Sequence, residues 1–215
     1  AGAPLEQSAP TLQLSTYETW AEFGKWYYNL IKKQLEPTPE MRTKVAELTA
    51  GKTSERDKAR AATEDLVGGV RDYPELYFAG YTQDAVKEFV EGNLVYAMVR
   101  GRPLPTPADL GSEPNTWLNG LAEAASELRR RILDLLRNGH TAEAERLLDA
   151  MDHIYSTLVT FDFADQITGG LRRRTDALRA VFERTNGDVA NNIRSTQLEG
   201  ALKALEARLA DLDQR

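Results

Sequence analysis

Apolar residues recur every three to four positions along most of the chain, which is the period of one face of an α-helix. The clearest stretches are 73–100, 114–138 and 141–159. The first of these is apolar nearly all round, which is typical of a helix buried in a bundle. From residue 73 onward there is no strand-like alternation of polar and apolar positions. The pattern predicts an all-α bundle of about seven helices.

Glycine and proline mark where the predicted helices begin and end. Stretch 73–100 stops at Gly101, and stretch 114–138 starts at Pro114 and stops at Gly139. We expect these two helices to be the arms of an antiparallel hairpin. Further on, a helix over 171–184 is predicted to break at 186–188. Asp188 would then cap a final helix that ends near Leu212.

The N-terminal third has a different character. Helices are predicted over 16–35, 39–50 and 54–68, after a loose tail over 1–11. The first helix has an aromatic face that includes Trp20, Trp26 and Tyr27, and it stops before Pro37. We therefore divide the chain into an atypical N-terminal segment, 1–62, and a helical domain, 63–215.

Composition narrows the class of protein. Of the 215 residues, 41% are hydrophobic and 28% are charged, which is typical of a soluble globular protein. There is no cysteine, so disulfides, thiolate metal sites and thiol catalysis are excluded. No apolar run approaches the length of a membrane span, and the N-terminus lacks the pattern of a secretory signal. A cytoplasmic protein with no membrane partner is expected.

Two pairs of glutamates carry the candidate chemistry: Glu88 with Glu91, and Glu123 with Glu127. Spacings of three and four residues place both members of a pair on one helix face. Glu91 and Glu123 each lie nine residues from the predicted turn, which is roughly 13 Å at about 1.5 Å of rise per residue. Four carboxylates at one level, with no thiol nearby, are a donor set for Mg²⁺ or Mn²⁺.

The surroundings of the two pairs differ. Glu88 and Glu91 are interleaved with apolar residues, where a buried carboxylate needs a cation or a proton. Glu123 and Glu127 share a stripe with polar residues. A solvated face with a Glu127–Arg131 contact explains the second pair without any metal. The residues alone leave both interpretations open.

Arginines are clustered, although the net charge of the chain is −6. An acidic balance argues against a nucleic-acid binder, which usually presents a basic surface. Arg129 and Arg130 nevertheless belong to one run of three arginines, and Arg172 and Arg173 belong to another. These four are candidate contacts to nucleic acid. The alternative is a solvated, salt-bridged helix face.

Four segments together resemble the translin superfamily, above all its archaeal members and translin-associated factor X. They are YPELYFAGYTQDAVKEFVE at 73–91, LNGLAEAASELRR at 118–130, TFD at 160–162 and GGLRRRTD at 169–176. The resemblance extends over about 70–209. It implies a helical fold, assembly into a homo-oligomer and binding of single-stranded RNA or DNA. Members of the factor X type are metal-dependent endoribonucleases, and the resemblance places their catalytic carboxylates on Glu88, Glu91, Glu123 and Glu127.

Residues 12–60 do not follow that family. They weakly resemble the segment that precedes transglutaminase-type domains in some multidomain proteins, and no transglutaminase cysteine follows. The expected function is therefore Mg²⁺- or Mn²⁺-dependent cleavage of single-stranded RNA by the translin-like domain. The alternatives are a non-catalytic oligomer that binds single strands and a helical assembly scaffold.

Overall fold

The computed structural model describes residues 19–213, and within this range every regular element is a helix. Seven helices are long and three are single turns, so the predicted all-α fold is confirmed. In chain order the helices are α1 (Trp20–Leu35), α2 (Pro39–Thr49), α3 (Glu55–Val70), α4 (Pro74–Tyr77), α5 (Gly80–Val99), α6 (Pro107–Leu110), α7 (Pro114–Arg137), α8 (Thr141–Leu158), α9 (Asp165–Thr168) and α10 (Leu171–Asp213). The predicted tail over 1–11, and the first residues of the predicted helix over 16–35, lie outside the described range.

The chain divides into two compact units between Ala50 and Gly51. In the first unit, α1 begins with a capping box between Thr19 and Glu22, and it ends before Pro37 as predicted. The second unit begins before α3, whereas the boundary predicted from sequence, at 62/63, falls inside that helix. None of the helices in the described range is long and apolar enough to cross a membrane.

In the second unit α7 is the central helix, because α5, α8 and α10 all pack against it. One face of α7 supplies Leu128, Ile132 and Leu135, which are at most 2% exposed. Each neighbouring helix contributes its own apolar stripe to the same core. Those buried residues include Val90, Leu94, Leu147, Met151, Leu158 and Leu178. The 3–4 spacing that predicted the helices is thus the spacing of a shared core.

The predicted antiparallel hairpin is wrong: α5 and α7 run in the same direction. Contacts advance together along the two helices, first from Gln83 to Thr116, whose side-chain oxygens are 2.6 Å apart, and then from Lys87 to Glu123. An antiparallel pair that brought Glu123 to Lys87 would leave Thr116 far from Gln83. The chain returns through residues 100–113, where Trp117 donates a hydrogen bond to the Pro105 carbonyl.

A parallel pair needs a crossover, and the connection of fourteen residues between α5 and α7 is long enough to supply one. Tight turns between antiparallel helices use about two to five residues. The length of this connection, with prolines at 103, 105 and 107, was the feature that argued against a hairpin. The glutamates meet for a different reason. Glu88 and Glu123 lie eight and nine residues after the first residues of their helices, so they are level in a parallel pair too.

Gly120 lets the two helices approach closely. A Cβ atom at this position would lie 2.8 Å from Cγ1 of Val90 and 3.3 Å from the Lys87 carbonyl oxygen. Contacts that short are not tolerated without movement of α5. The missing side chain therefore sets the separation of α5 and α7 one turn from the glutamates.

The predicted break at 186–188 is also wrong, because α10 is continuous over 43 residues. Asp188 does not cap a new helix. Its carboxylate pairs with Arg129 of α7 at 2.8 Å, and the next residue, Val189, is 2% exposed. Packing against α7 and α8 outweighs the low helix propensity of Asn186 and Gly187.

Candidate carboxylate site

Three of the four predicted glutamates converge in the middle of the α5–α7 pair. Glu88, Glu91 and Glu123 each present one carboxylate oxygen, and these three oxygens lie within 4.8 Å of one another. Glu88 is exposed, whereas Glu91 and Glu123 are half-buried. The expected approach of Glu91 to Glu123 is observed, although it arises from parallel rather than antiparallel helices. We call this group the carboxylate cluster.

Two cations hold Glu123 in place. Lys87 Nζ lies 2.7 Å from one carboxylate oxygen of Glu123, and Arg174 Nε donates a hydrogen bond of 2.7 Å to the other. Lys87 is also 3.6 Å from Glu88. Because both oxygens of Glu123 are engaged, this side chain has a fixed orientation. Lys87 and Arg174 are only 11% and 19% exposed in their side chains, so solvent screens these pairs weakly.

The local backbone brings Arg174 to the cluster. Gly169 and Gly170, with φ angles of 62° and 86°, end α9 and lead directly into α10. The left-handed region favours glycine, because a Cβ atom adds strain there. In the first turn of α10, Arg174 donates further hydrogen bonds to the Gly169 carbonyl and to the side-chain oxygen of Asn119. Arg174 thus ties the α9–α10 turn to α7.

The electrostatics differ between the two half-buried glutamates. Burial, together with the charges of Glu88 and Glu123, raises the pKa of Glu91 to about 7. Burial alone would raise the pKa of Glu123 as well, but hydrogen bonds from Lys87 and Arg174 outweigh it and lower that pKa. Burial opposes the charged form of Lys87, yet Glu123 overcomes this and raises the pKa of Lys87. Glu91 is therefore the carboxylate whose negative charge is least compensated.

Glu127 lies outside the three-oxygen group. Its side chain is 50% exposed, and its nearest cation is Arg130 at 3.8 Å. The predicted contact between Glu127 and Arg131 is not formed. Arg131 instead lies 3.7 Å from Glu143 of α8. Glu127 is still close enough to contribute, as the weakest influence, to the raised pKa of Glu91. Its role as a ligand remains a prediction.

The four predicted arginine contacts lie in different environments. Arg129 forms its ion pair with Asp188 and donates a hydrogen bond of 3.1 Å to Thr185, so it connects α7 to α10. Arg130 is 84% exposed beside Glu127. Arg172 and Arg173 are exposed on the first turn of α10. Arg172 lines a cavity of about 360 Å³ with Phe161 and Phe163.

Sequence reasoning missed Lys87 and Arg174, which contact the carboxylate cluster directly. Lys87 precedes Glu88 in the chain, and Arg174 is the third member of a run whose first two members were chosen. Spacing on a single helix gives no indication of such partners, because Arg174 comes from a helix that begins 48 residues after Glu123. The available indication was that a glutamate on a half-buried helix face needs a compensating cation, and for Glu123 this cation had to come from another part of the chain.

The sequence matches no protein-family model. It is 30% identical over 158 residues to MJ0175, an uncharacterised protein of Methanocaldococcus jannaschii, and the match covers 72% of this chain and 70% of that protein. The fold is similar to that of AfC3PO, both in the crystal structure of that protein and in its complex with duplex RNA. In each case the TM-score is 0.60 and the identity is 33%, over 81% of this chain and 93% of AfC3PO.

Proposed function

The chain belongs to the translin superfamily, as AfC3PO does, and from this premise we propose that it binds RNA and cleaves it as a metal-dependent endoribonuclease. The observation that carries the proposal is the carboxylate cluster on α5 and α7. Its members fall in the two segments, 73–91 and 118–130, that carry the family resemblance. AfC3PO is similar over most of both chains and binds duplex RNA, which supports RNA as the substrate class.

The cluster fits a hard divalent cation such as Mg²⁺ or Mn²⁺. Carboxylate oxygens are the donors that these ions prefer, and three of them lie within bridging reach of one another. Burial, together with the charges of Glu88 and Glu123, raises the pKa of Glu91 to about 7, and a bound cation would offset this cost of its negative charge. Glu88, Glu91 and Glu123 would hold the cation, with Glu127 as a fourth acidic group beside them. When bound, the cation would offset charge on the scissile phosphate and acidify an attacking water.

The surrounding residues position the cluster and the strand. Lys87 and Arg174 fix the carboxylate of Glu123, so that its orientation does not depend on a bound ion. Their positive charges would also attract the phosphates of a bound strand. Burial of Lys87 and Arg174 limits access of bulk water to this side of the site. The proposed substrate is single-stranded RNA and the proposed working form is a homo-oligomer, both from the family resemblance.

Labelled single-stranded and duplex RNA, each incubated with Mg²⁺, Mn²⁺ or chelator, tests the proposal. We expect endonucleolytic products only with a divalent cation, and loss of at least about 100-fold in rate for Glu91→Gln. Such a loss corresponds to about 2.7 kcal/mol of transition-state stabilisation. Glu145→Gln, which is exposed on α8, is the matched control and should leave the rate of cleavage unchanged, and Glu127→Gln tests the predicted role of Glu127 as a ligand.

A second candidate is a non-catalytic oligomer that binds nucleic acid. It is favoured by one observation: Lys87 and Arg174 already engage both oxygens of Glu123. In that case RNA would bind equally well with chelator or Mg²⁺, and no products would form. Absence of both binding and cleavage would leave a helical scaffold.

A further inference from the structure

Three arginines surround a single tyrosine on the surface of α5 and its C-terminal turn. The guanidinium carbons of Arg56, Arg100 and Arg102 lie 5.4, 5.8 and 5.4 Å from the centroid of the Tyr96 ring. Arg56 comes from α3, Arg100 directly follows the last residue of α5, and Arg102 lies two residues further on. These are cation–π distances, so the ring holds the three groups near one another. We call this set the arginine cluster.

The charges of the arginine cluster are not neutralised by carboxylates. Among the residues whose side chains the structure describes, no carboxylate forms a salt bridge with any of its three guanidinium groups, although the chain as a whole has a net charge of −6. Arg56 donates one hydrogen bond of 2.7 Å, to the side-chain oxygen of Asn93, which is a neutral group. Three like charges around one ring repel each other. An anion bound among them would remove that repulsion.

Capping of α5 does not account for Arg100 and Arg102. Cations near the C-terminus of a helix often serve its free carbonyl groups. Here that role belongs to Arg146 of α8, which donates to the Met98 carbonyl at 3.0 Å and to the Val99 carbonyl at 3.3 Å. The side chains of Arg100 and Arg102 instead extend to the face of Tyr96. Their placement calls for another explanation.

A groove beside α5 is lined by one member of each cluster, Arg56 of the arginine cluster and Glu88 of the carboxylate cluster. Its cavity, of about 250 Å³, has Arg56 and Tyr96 at one end and Glu88 at the other, with Gly92 between them. Glu88, Gly92 and Tyr96 are four residues apart on α5, so they share one face of the helix. No atom lies within 4 Å of the position that a Cβ would take at Gly92, so this part of the groove is open. From Glu88 to Tyr96 is about 12 Å along the helix axis.

We propose that the arginine cluster binds backbone phosphates of the RNA strand whose scissile phosphodiester lies at the carboxylate cluster. This inference rests on the proposed function, and it names where the strand is held. Guanidinium groups bind phosphate through paired N–H donors. At the compact spacing of about 3.4 Å per phosphate along a duplex axis, three to four nucleotides cover about 12 Å, and a more extended strand covers it with fewer. An RNA strand spans both sites, whereas a single small anion fills only one.

The test compares Arg100→Ala/Arg102→Ala with Arg184→Ala/Arg208→Ala. All four residues are exposed, and the control removes the same charge from α10. Binding of a fluorescently labelled single-stranded RNA is measured by anisotropy from about 50 to 200 mM salt, with chelator present so that no metal-dependent cleavage occurs. Each lost phosphate contact lowers the salt slope by about 0.7. Wild type should then lose about sevenfold more affinity over this range than the cluster variant does, because two contacts are missing in the variant.

A second variant serves as a control for loss of folding. Arg100→Lys/Arg102→Lys keeps both charges, and it should retain the wild-type salt slope. Equal salt slopes for wild type, the cluster variant and the control would overturn the proposal. Unchanged RNA binding with an altered oligomer size for the cluster variant would overturn it as well, and would assign the arginines to a subunit interface. Arginine-dependent binding by a protein that cleaves no RNA would support it, while refuting the proposed nuclease.

Discussion

Replacing Glu91 with glutamine removes one negative charge from the carboxylate cluster and almost preserves the side-chain shape. In the folded protein, burial and the neighbouring glutamates raise the pKa of this carboxyl from 4.5 to about 7. Between these two values the folded protein keeps a proton that the unfolded chain has lost. The free energy of unfolding therefore falls as the pH rises from about 4.5 to about 7, and it levels off above that.

The size of this effect follows from the pKa. A displacement from 4.5 to about 7 is equivalent to roughly 3.5 kcal/mol, at about 1.4 kcal/mol for each pH unit. Glu91 is only half-buried, and solvent screening reduces the figure to about 1–2 kcal/mol. Glutamine carries no charge to destabilise the folded state. Without divalent cations at pH 8, Glu91→Gln should be more stable than wild type by that amount, or by about 2–4 °C in melting temperature for each kcal/mol.

Urea unfolding followed by far-UV circular dichroism, at pH 5, 6, 7 and 8 with chelator, measures the effect. Glu145→Gln is the matched control, because Glu145 is exposed on α8 and its exchange alters the net charge equally. Protein concentration is held constant, since oligomerisation changes apparent stability. Addition of Mn²⁺ at pH 8 should then raise the melting temperature of wild type and of Glu145→Gln, but not that of Glu91→Gln.

Two results would contradict the expected behaviour of Glu91. If wild type and Glu91→Gln lose stability in parallel from pH 5 to pH 8, the charge of Glu91 is not constrained by its surroundings. If Glu91→Gln also keeps the full Mn²⁺-induced shift, the carboxylate cluster does not hold the cation through this residue.

Three further outcomes are expected. Mn²⁺ affinity, measured by isothermal titration calorimetry, should fall up to tenfold for each pH unit below about 7, because the cation must displace the proton of Glu91; an affinity that is constant from pH 6 to pH 8 would contradict this. Arg174→Ala removes one ion pair and two further hydrogen bonds, so it should lower the free energy of unfolding, measured in urea, by roughly 2 kcal/mol. Arg173→Ala, on the exposed face of the same helix, should change it little. Gly120→Ala should lower the free energy of unfolding by about 1–3 kcal/mol, because the added Cβ forces α5 away from α7. It should also weaken the Mn²⁺-induced shift in melting temperature. The control is Gly68→Ala in α3, which has open space around it and should be neutral or stabilising.

The sequence was sufficient to predict most of the long helices and the level at which the carboxylates meet. Both follow from local rules: the 3–4 spacing of apolar residues, the stop at Gly139, and the depth of Glu88 and Glu123 within their helices. Because these glutamates lie near the middle of helices of similar length, they are level in either direction of packing. The carboxylates therefore meet despite the wrong topology, since their approach depends on depth rather than on direction, and the metal hypothesis remains a prediction.

What the sequence could not supply were features decided by packing between distant segments. The direction of α7 relative to α5 depends on the contacts that the connection over 100–113 makes with the helices. One of them is the hydrogen bond that Trp117 donates to the Pro105 carbonyl. The continuity of α10 depends on Asp188 meeting Arg129, which no spacing along one helix reveals. Lys87 and Arg174 were overlooked for the same reason, because each acquires its importance from Glu123 on another helix.

The balance of charge in the carboxylate cluster determines whether the site repels or attracts a phosphodiester. With Glu88, Glu91 and Glu123 ionised beside Lys87 and Arg174, the five side chains sum to one negative charge. In that state the site repels a phosphodiester. One bound divalent cation would turn the sum to one positive charge, and the same surface would then attract an RNA strand. If the proposed function holds, a bound cation would therefore be needed before the RNA strand could approach the carboxylate cluster closely.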